Sequence, residues 1–154
     1  MYFAIVFCLM LAAPVGSIVI EHSFLHVSAP LMTFVGKWFV FWAVGVRLAL
    51  AGLRQYFDPR FTAGQIFDIH GDDALPLVRE LGIANFAAGT VGTLSLLRPD
   101  FVLPSAIAAA IFYGVAGFRH VGQPKRNAKE TFAMATDLFA FAVLGPYAVF
   151  AMSQ

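Results

Sequence analysis

Five apolar runs, each close to twenty residues long, constrain this chain more than any other feature. They occupy residues 2–20, 38–57, 79–97, 101–119 and 131–152. At 1.5 Å per residue, about 20 helical residues cross the ~30 Å hydrocarbon layer of a bilayer. The runs are continuous and rich in Ala, Leu and Phe, which predicts helices, whereas barrel strands would alternate over ~10-residue segments. The expected fold is an all-α integral membrane bundle of five transmembrane helices. The apolar part of the third run, Leu81 to Leu97, is the shortest, and Arg79 and Glu80 extend it into the head-group region.

The spans use nearly all of the 154 residues, so residues 1–154 are read as a single transmembrane domain. Composition agrees: 60% of residues are hydrophobic and 12% charged, against roughly 25% charged in soluble domains. A net charge of +1 gives no basis for a nucleic-acid partner. The lone cysteine, Cys8, lies in the first run and leaves no internal disulfide or cysteine metal cluster to consider. "LAAPVGS" has the small residues of a signal-peptide end, but no Lys or Arg precedes the run. It is read as a retained helix, kinked at Pro14 and Gly16.

Five spans put Arg54, Arg60, Arg79, Arg119, Lys125, Arg126 and Lys129 on one side and only Lys37 and Arg98 on the other. By the positive-inside tendency the basic face is cytoplasmic, with the N-terminus inside and the C-terminus outside. Trp38 and Trp42, beside Lys37, then fit the outer interfacial belt. "NAKE", Asn127 to Glu130, is a capping pattern that starts the last helix. In "DPRFTAGQIFDIHGDD", Thr62 stands three before Gln65, and Phe61, Ile66, Phe67 and Ile69 form an apolar patch. This predicts a short interfacial helix over 62–70, followed by Asp72 or Asp73 capping the third span with Pro76 in its first turn. Small residues at Ala84, Ala88 and Gly92, and at Ala106, Ala110 and Gly114, predict close packing of the third and fourth spans against neighbours.

One base stands deep inside these runs. Arg47 interrupts "GVRLALAGLRQ", and a guanidinium keeps its charge at any accessible pH, so it needs water, an acid or a ligand. Seven residues before Arg54, it lies about 10 Å inside the cytoplasmic end of its helix. Asp137, seven residues after Glu130 on a helix running the other way, reaches the same depth and is the expected partner. Glu80 is the second candidate, reached if the arginine snorkels. Asn85, Arg119 and His120 stand at the same end, so Arg47, Glu80, Asn85, Arg119, His120 and Asp137 form the candidate cluster, with Tyr113 as a further lining residue. It reads either as a structural ion pair fixing helix order or as a pocket for a lipophilic molecule with a polar head.

"EHSFLH" sets His22 and His26 four apart, which on a helix places both imidazoles on one face as a weak metal candidate. Glu21 points roughly 100° away from His22 and is a poor third ligand. His70, beside Gly71, Asp72 and Asp73, reads as a solvated loop residue.

The segments "VRLALAGLRQYFDPRF", "ELGIANFAAGTVGTLSLLRPD" and "AIAAAIFYGVAGFRHV" resemble the DoxX-like group of small bacterial membrane proteins. The matching positions are Arg47, Glu80 with Leu81, and His120, over residues 38 to 152, with the first helix extra. The resemblance implies a four-helix bundle formed by the last four spans, a bacterial inner membrane, and a quinone or partner-subunit connection. The chain carries no cofactor motif of its own.

Three functions follow: binding of a lipophilic molecule or lipid head group at the cluster; an accessory subunit, or homo-oligomer, in which an apolar surface docks another membrane protein; and a lipid or sterol isomerase using His120, Glu80 or Asp137 as acid and base. A transporter is disfavoured, since no inverted repeat or recurring broken-helix pair is evident.

Overall fold

The computed structural model of the chain describes residues 1–123 and 125–154. These residues form helices and connecting turns, without strands. Helix α1 spans Tyr2–Phe24 and α2 spans Leu31–Phe57. Helix α3 is the short Pro59–Gln65 and α4 is Leu75–Leu94. Helix α5 spans Pro99–Val121 and α6 spans Ala128–Met152. Four of them (α1, α2, α5 and α6) are long and apolar enough to cross a membrane. Helix α4 has 20 residues but is diluted by Arg79, Glu80 and Asn85, and it is not among those four.

Several boundaries move from the sequence expectation, each for a local reason. Helix α2 starts at Leu31 instead of residue 38, because Pro30 holds extended geometry and releases the helix directly behind it. Lys37 thus lies on the helix, donating to Glu21 Oε1 at 2.6 Å. Glu21 also accepts from Trp38 Nε1 at 2.5 Å, and Trp42 Nε1 donates to Ser17 Oγ at 3.0 Å, so α1 and α2 are stapled by polar contacts at this end. With its carboxylate held, Glu21 no longer ends α1, which continues to Phe24. The short helix occupies 59–65, not 62–70: Pro59 sits in its first turn, and Asp68 takes a left-handed φ of 55° beyond it. Neither Asp72 nor Asp73 caps α4; its N-cap is Ala74, while Pro76 lies in the first turn. Asn127 caps α6, accepting from Glu130 N at 2.9 Å.

The backbone also contains π-helical turns, at Cys8–Ala12 ahead of Pro14 and at Val40–Val46 ahead of Arg47. A proline has no N–H to return to the carbonyl four residues back, and a wider turn before it relieves the mismatch. At the second turn the Arg47 N–H reaches back five residues to Trp42 O. The Ala43 carbonyl accepts the Tyr113 hydroxyl at 2.6 Å.

Packing divides the bundle into two close pairs. Helices α2 and α4 meet through glycine on both sides: a Cβ added to Gly45 would stand 2.6 Å from Thr93 N, and one on Gly52 would stand 2.5 Å from Gly82 O. Helices α5 and α6 meet where Gly114 takes the Phe141 ring and Gly117 takes Leu138. The packed face of α4 therefore carries Gly82, Asn85, Gly89 and Gly92, whereas Ala84 and Ala88 are exposed, contrary to the expectation for that stripe. Gly92 belongs to both sets, and Ala106, Ala110 and Gly114 are buried as the fourth-span stripe requires. The common core between the pairs is built on Met10, Phe39, Val40, Tyr113 and Leu144.

Gly89→Leu tests the α2–α4 contact. Its side chain would enter the Ala49 backbone and approach Gly45 O at 2.8 Å from the first carbon alone. The expected loss is about 1–3 kcal/mol or more, read as a lower unfolding midpoint by circular dichroism in mild detergent. Gly64→Ala, with nothing within 4 Å of the new carbon, should be neutral or raise the midpoint slightly; equal behaviour of the two variants would remove the close-packing argument.

Candidate functional site

All six helices contribute to a cavity of about 490 Å³ at the end of the bundle that carries the chain start, α3 and the connection between α5 and α6. Ligand pockets commonly enclose roughly 300–1,000 Å³. Its wall is mainly apolar, from Ile5 and Val6 of α1, Leu48 of α2, Phe61 and Ile66 around α3, and Phe112 of α5. The charged, amide and imidazole groups enter from four helices: Arg47, Arg54 and Gln55 from α2, Asn85 from α4, Arg119 and His120 from α5, and Asp137 from α6; the hydroxyls of Tyr2 and Thr62 belong to lining residues of α1 and α3.

Five of these seven charged, amide and imidazole groups are held in buried or partly buried pairs. Arg47 Nη2 donates to Asp137 Oδ1 at 3.1 Å, with side-chain exposures of 14% and 10%. The Arg47 guanidinium also lies 5.0 Å from the centre of the fully buried Tyr113 ring, a cation–π contact that adds to the ion pair. Asn85 Nδ2 donates to Gln55 Oε1 at 2.8 Å, joining α4 to α2. His120 Nδ1 and Glu130 Oε1 are 3.1 Å apart, both buried. Arg54 and Arg119 are exposed at the rim; Arg54 lies 3.5 Å over the Phe61 ring and 4.0 Å from the exposed Asp58 carboxylate.

Of the six cluster residues read from sequence, five line this cavity. Glu80 does not: it is exposed and lies outside the lining, although its neighbour Leu81 and Asn85, five residues on, both line the cavity. Tyr113 stands behind the wall as a partner of Arg47 and Ala43. Sequence reasoning missed Gln55, Arg54 and the second role of Glu130. Glu130 was legible as part of the "NAKE" cap, but its side chain turns to His120 while its backbone N–H takes the cap. The signal for Gln55 was present, since it stands eight residues after Arg47, two helical turns on the same face.

The histidine pair at the other end does not form the arrangement the spacing required. Helix α1 ends at Phe24, and His26 lies beyond it with a left-handed φ of 52°. His22 rests 5.6 Å from the Phe34 ring. Among the described residues no group of three or more His, Cys, Asp or Glu is placed to hold a metal ion. His70 is exposed, 3.3 Å from Asp68.

Fold and cavity together define a small helical bundle of membrane-spanning character with a polar cluster enclosed at one end. The chain belongs to the family of unknown function DUF6790, whose model matches residues 1–153. No curated protein and no solved structure matches it.

The Arg47–Asp137 pair gives a double-mutant test. Arg47→Met leaves a carboxylate buried and uncompensated, and Asp137→Leu leaves the guanidinium so; each should lose about 3–5 kcal/mol of stability. The double variant, apolar on both sides, should regain most of that loss in thermal unfolding. Additive losses in the double variant would show that the two groups do not act as a pair.

Proposed function

We propose that the protein binds an amphiphile, a lipophilic molecule with an anionic polar head, in this cavity. The observation that carries the reading is the charge of the lining: Arg47, Arg54 and Arg119 face one aspartate, Asp137, across walls that are otherwise mostly apolar. Asp137 is engaged by Arg47, and Arg54, whose exposed ion pair with Asp58 is a loose 4.0 Å, stands with Arg119 at the rim as the cations for a phosphate or carboxylate head. Arginine suits that role because its planar fork meets both oxygens of such a group. The apolar wall receives the first part of the chain.

Helix α4 is the fifth span in this reading, crossing beside α2 with Arg79 and Glu80 at the membrane surface. The seven bases at the cavity end favour a cytoplasmic position for it, in a bacterial inner membrane with the C-terminus outside. The cavity then opens toward the inner leaflet. The likeness to the DoxX-like group supports a small membrane protein acting near other membrane components, including the accessory-subunit and quinone readings. A second reading, isomerisation of a lipid, is favoured by one contact: His120, which lines the cavity, is backed at 3.1 Å by the buried carboxyl of Glu130.

The test uses the purified protein in mild detergent with hexadecyl phosphate and hexadecanol as probes, read by thermal shift and by mass spectrometry of the intact complex. Wild type should bind the phosphate at least tenfold more tightly than the alcohol. Arg54→Gln with Arg119→Gln should remove that preference, since a hydrogen bond to a charged group contributes about 1.5–3 kcal/mol. Equal binding of phosphate and alcohol by wild type would sink the head-group reading. For the isomerase reading, His120→Gln should abolish turnover while leaving phosphate binding intact.

A further inference from the structure

A second cavity, of about 560 Å³, lies between α2, α4 and α5. It shares Leu48, Leu81, Asn85 and Phe112 with the first. Those four side chains are a common wall between the two spaces, and Asn85, whose amide donates to Gln55, is the polar residue among them. From there the second cavity runs away from the polar end, past Ala88 on α4 and Ala108 on α5, toward Pro104 and Ser105 near the start of α5. Helices α4 and α5 touch only sparsely across it, and Ala84, Ala88 and Ala108 on its sides are exposed. It is therefore a slot between the two close-packed helix pairs, open along its length to the surrounding apolar phase.

An independent feature marks the slot as more than a lipid-facing groove. Ser105 lines it and is 7% exposed, and among the described residues its Oγ is the one fully buried side-chain polar atom without a hydrogen-bond partner. Serine within a helix usually returns its hydroxyl to a carbonyl one turn back. A buried donor left unpaired is costly, and more so away from water. Ser105 stands fourteen residues before Arg119 on the same helix, a separation on the order of 20 Å, comparable to an extended long alkyl chain.

We propose that the second cavity holds the apolar chain of the amphiphile whose head occupies the first, with Ser105 hydrogen-bonding an oxygen carried near the far end of that chain. The proposal rests on the head-group reading above and adds the substrate class: a long-chain anionic amphiphile oxygenated at its distal end, with a hydroxyl or carbonyl oxygen on or beside the terminal carbon. The small residues along the slot fit an unbranched chain, and the shared wall at Leu48, Leu81, Asn85 and Phe112 is where the chain passes from one space to the other. Inside an apolar phase the chain gains little from burial as such, so the position of the chain is decided by the head at one end and the Ser105 donor at the other.

The experiment is photo-crosslinking of the detergent-purified full chain, with adducts located by peptide mass spectrometry. Two probes are used: hexadecyl phosphate with a diazirine at its terminal carbon, and octyl phosphate labelled in the same way. The long probe should label α4 around Ala84–Val91 and α5 around Pro104–Ala109. The short probe should label around Leu48, Ala51 and Phe67. Excess unlabelled hexadecyl phosphate should suppress both patterns at least fivefold, while labelling at the outward-facing Ile111 and Val115 persists. Long-probe adducts confined to the first cavity would overturn the chain placement and leave the head-group reading standing. Suppression nowhere would overturn both, and second-cavity labelling that excess phosphate does not suppress would assign the slot to bulk detergent only. Ala108→Trp, which fills the slot, should abolish α4 labelling by the long probe and leave the short-probe pattern unchanged. For the distal oxygen, 16-hydroxyhexadecyl phosphate should displace the long probe at least threefold more effectively than hexadecyl phosphate in wild type, and Ser105→Ala should erase that difference. Equal displacement in wild type would overturn the role of Ser105.

Discussion

A guanidinium that cannot give up its charge, held in a bundle whose surroundings are apolar, sets the terms for the rest of this structure. Arg47 is met from three directions: the Asp137 carboxylate at 3.1 Å, the face of the Tyr113 ring at 5.0 Å, and the cavity itself. Each partner belongs to a different helix from Arg47, so satisfying the charge fixes α2 against both α5 and α6. The π-helical turn just before Arg47 belongs to the same arrangement. It lies where the Tyr113 hydroxyl meets the Ala43 carbonyl, a hydrogen bond that crosses from α5 to α2.

The bundle is thus assembled by two different physical means. Within the α2–α4 pair and within the α5–α6 pair, glycines let backbones or bulky side chains approach, and dispersion acts over short distances. Between the pairs, the Arg47–Asp137 and Tyr113–Ala43 contacts cross the seam, together with the Tyr147 ring seated on Gly36. Helix α1 covers one side of this seam and contributes Val6 and Met10 to the core. Both cavities lie where packing across the seam is incomplete. A site built there is naturally responsive, because a molecule entering between the pairs competes with few direct helix–helix contacts.

The architecture was legible because it rests on lengths and on charge. The five helical segments followed from apolar runs, and the depth match that brought Arg47 to Asp137 followed from a rise of 1.5 Å per residue counted from opposite ends of two antiparallel helices. Boundaries were less legible wherever a polar residue turned out to be satisfied inside a helix. Lys37 reads as a loop residue until Glu21 neutralises it, and Glu21 reads as a helix end until Lys37 and Trp38 hold it. Glu80 was misplaced for the complementary reason. Depth along α4 is readable from sequence, but the azimuth depends on which face packs, and the glycines at 82, 89 and 92 turn Asn85 inward and leave Glu80 outside.

The same argument explains why the small-residue stripes misled in one helix and not in the other. Alanine and glycine are interchangeable in a count of small residues, but only glycine lets one helix backbone come within van der Waals contact of another. Helix α4 carries both, and it packs on the glycine face. The alanine face, Ala84 and Ala88, is left over and lines the slot opposite Ala108 and Ala109 of α5. On α5 the glycines at 114 and 117 point at α6, so its alanines are likewise divided between core and slot. The slot follows from this choice on both sides: each helix commits its closest-packing face to its own partner, and the faces that remain are too smooth to interlock with each other. What is left between them is a narrow apolar space with Asn85 at one end and an unpaired Ser105 hydroxyl toward the other, bounded by helices already held in place by contacts elsewhere.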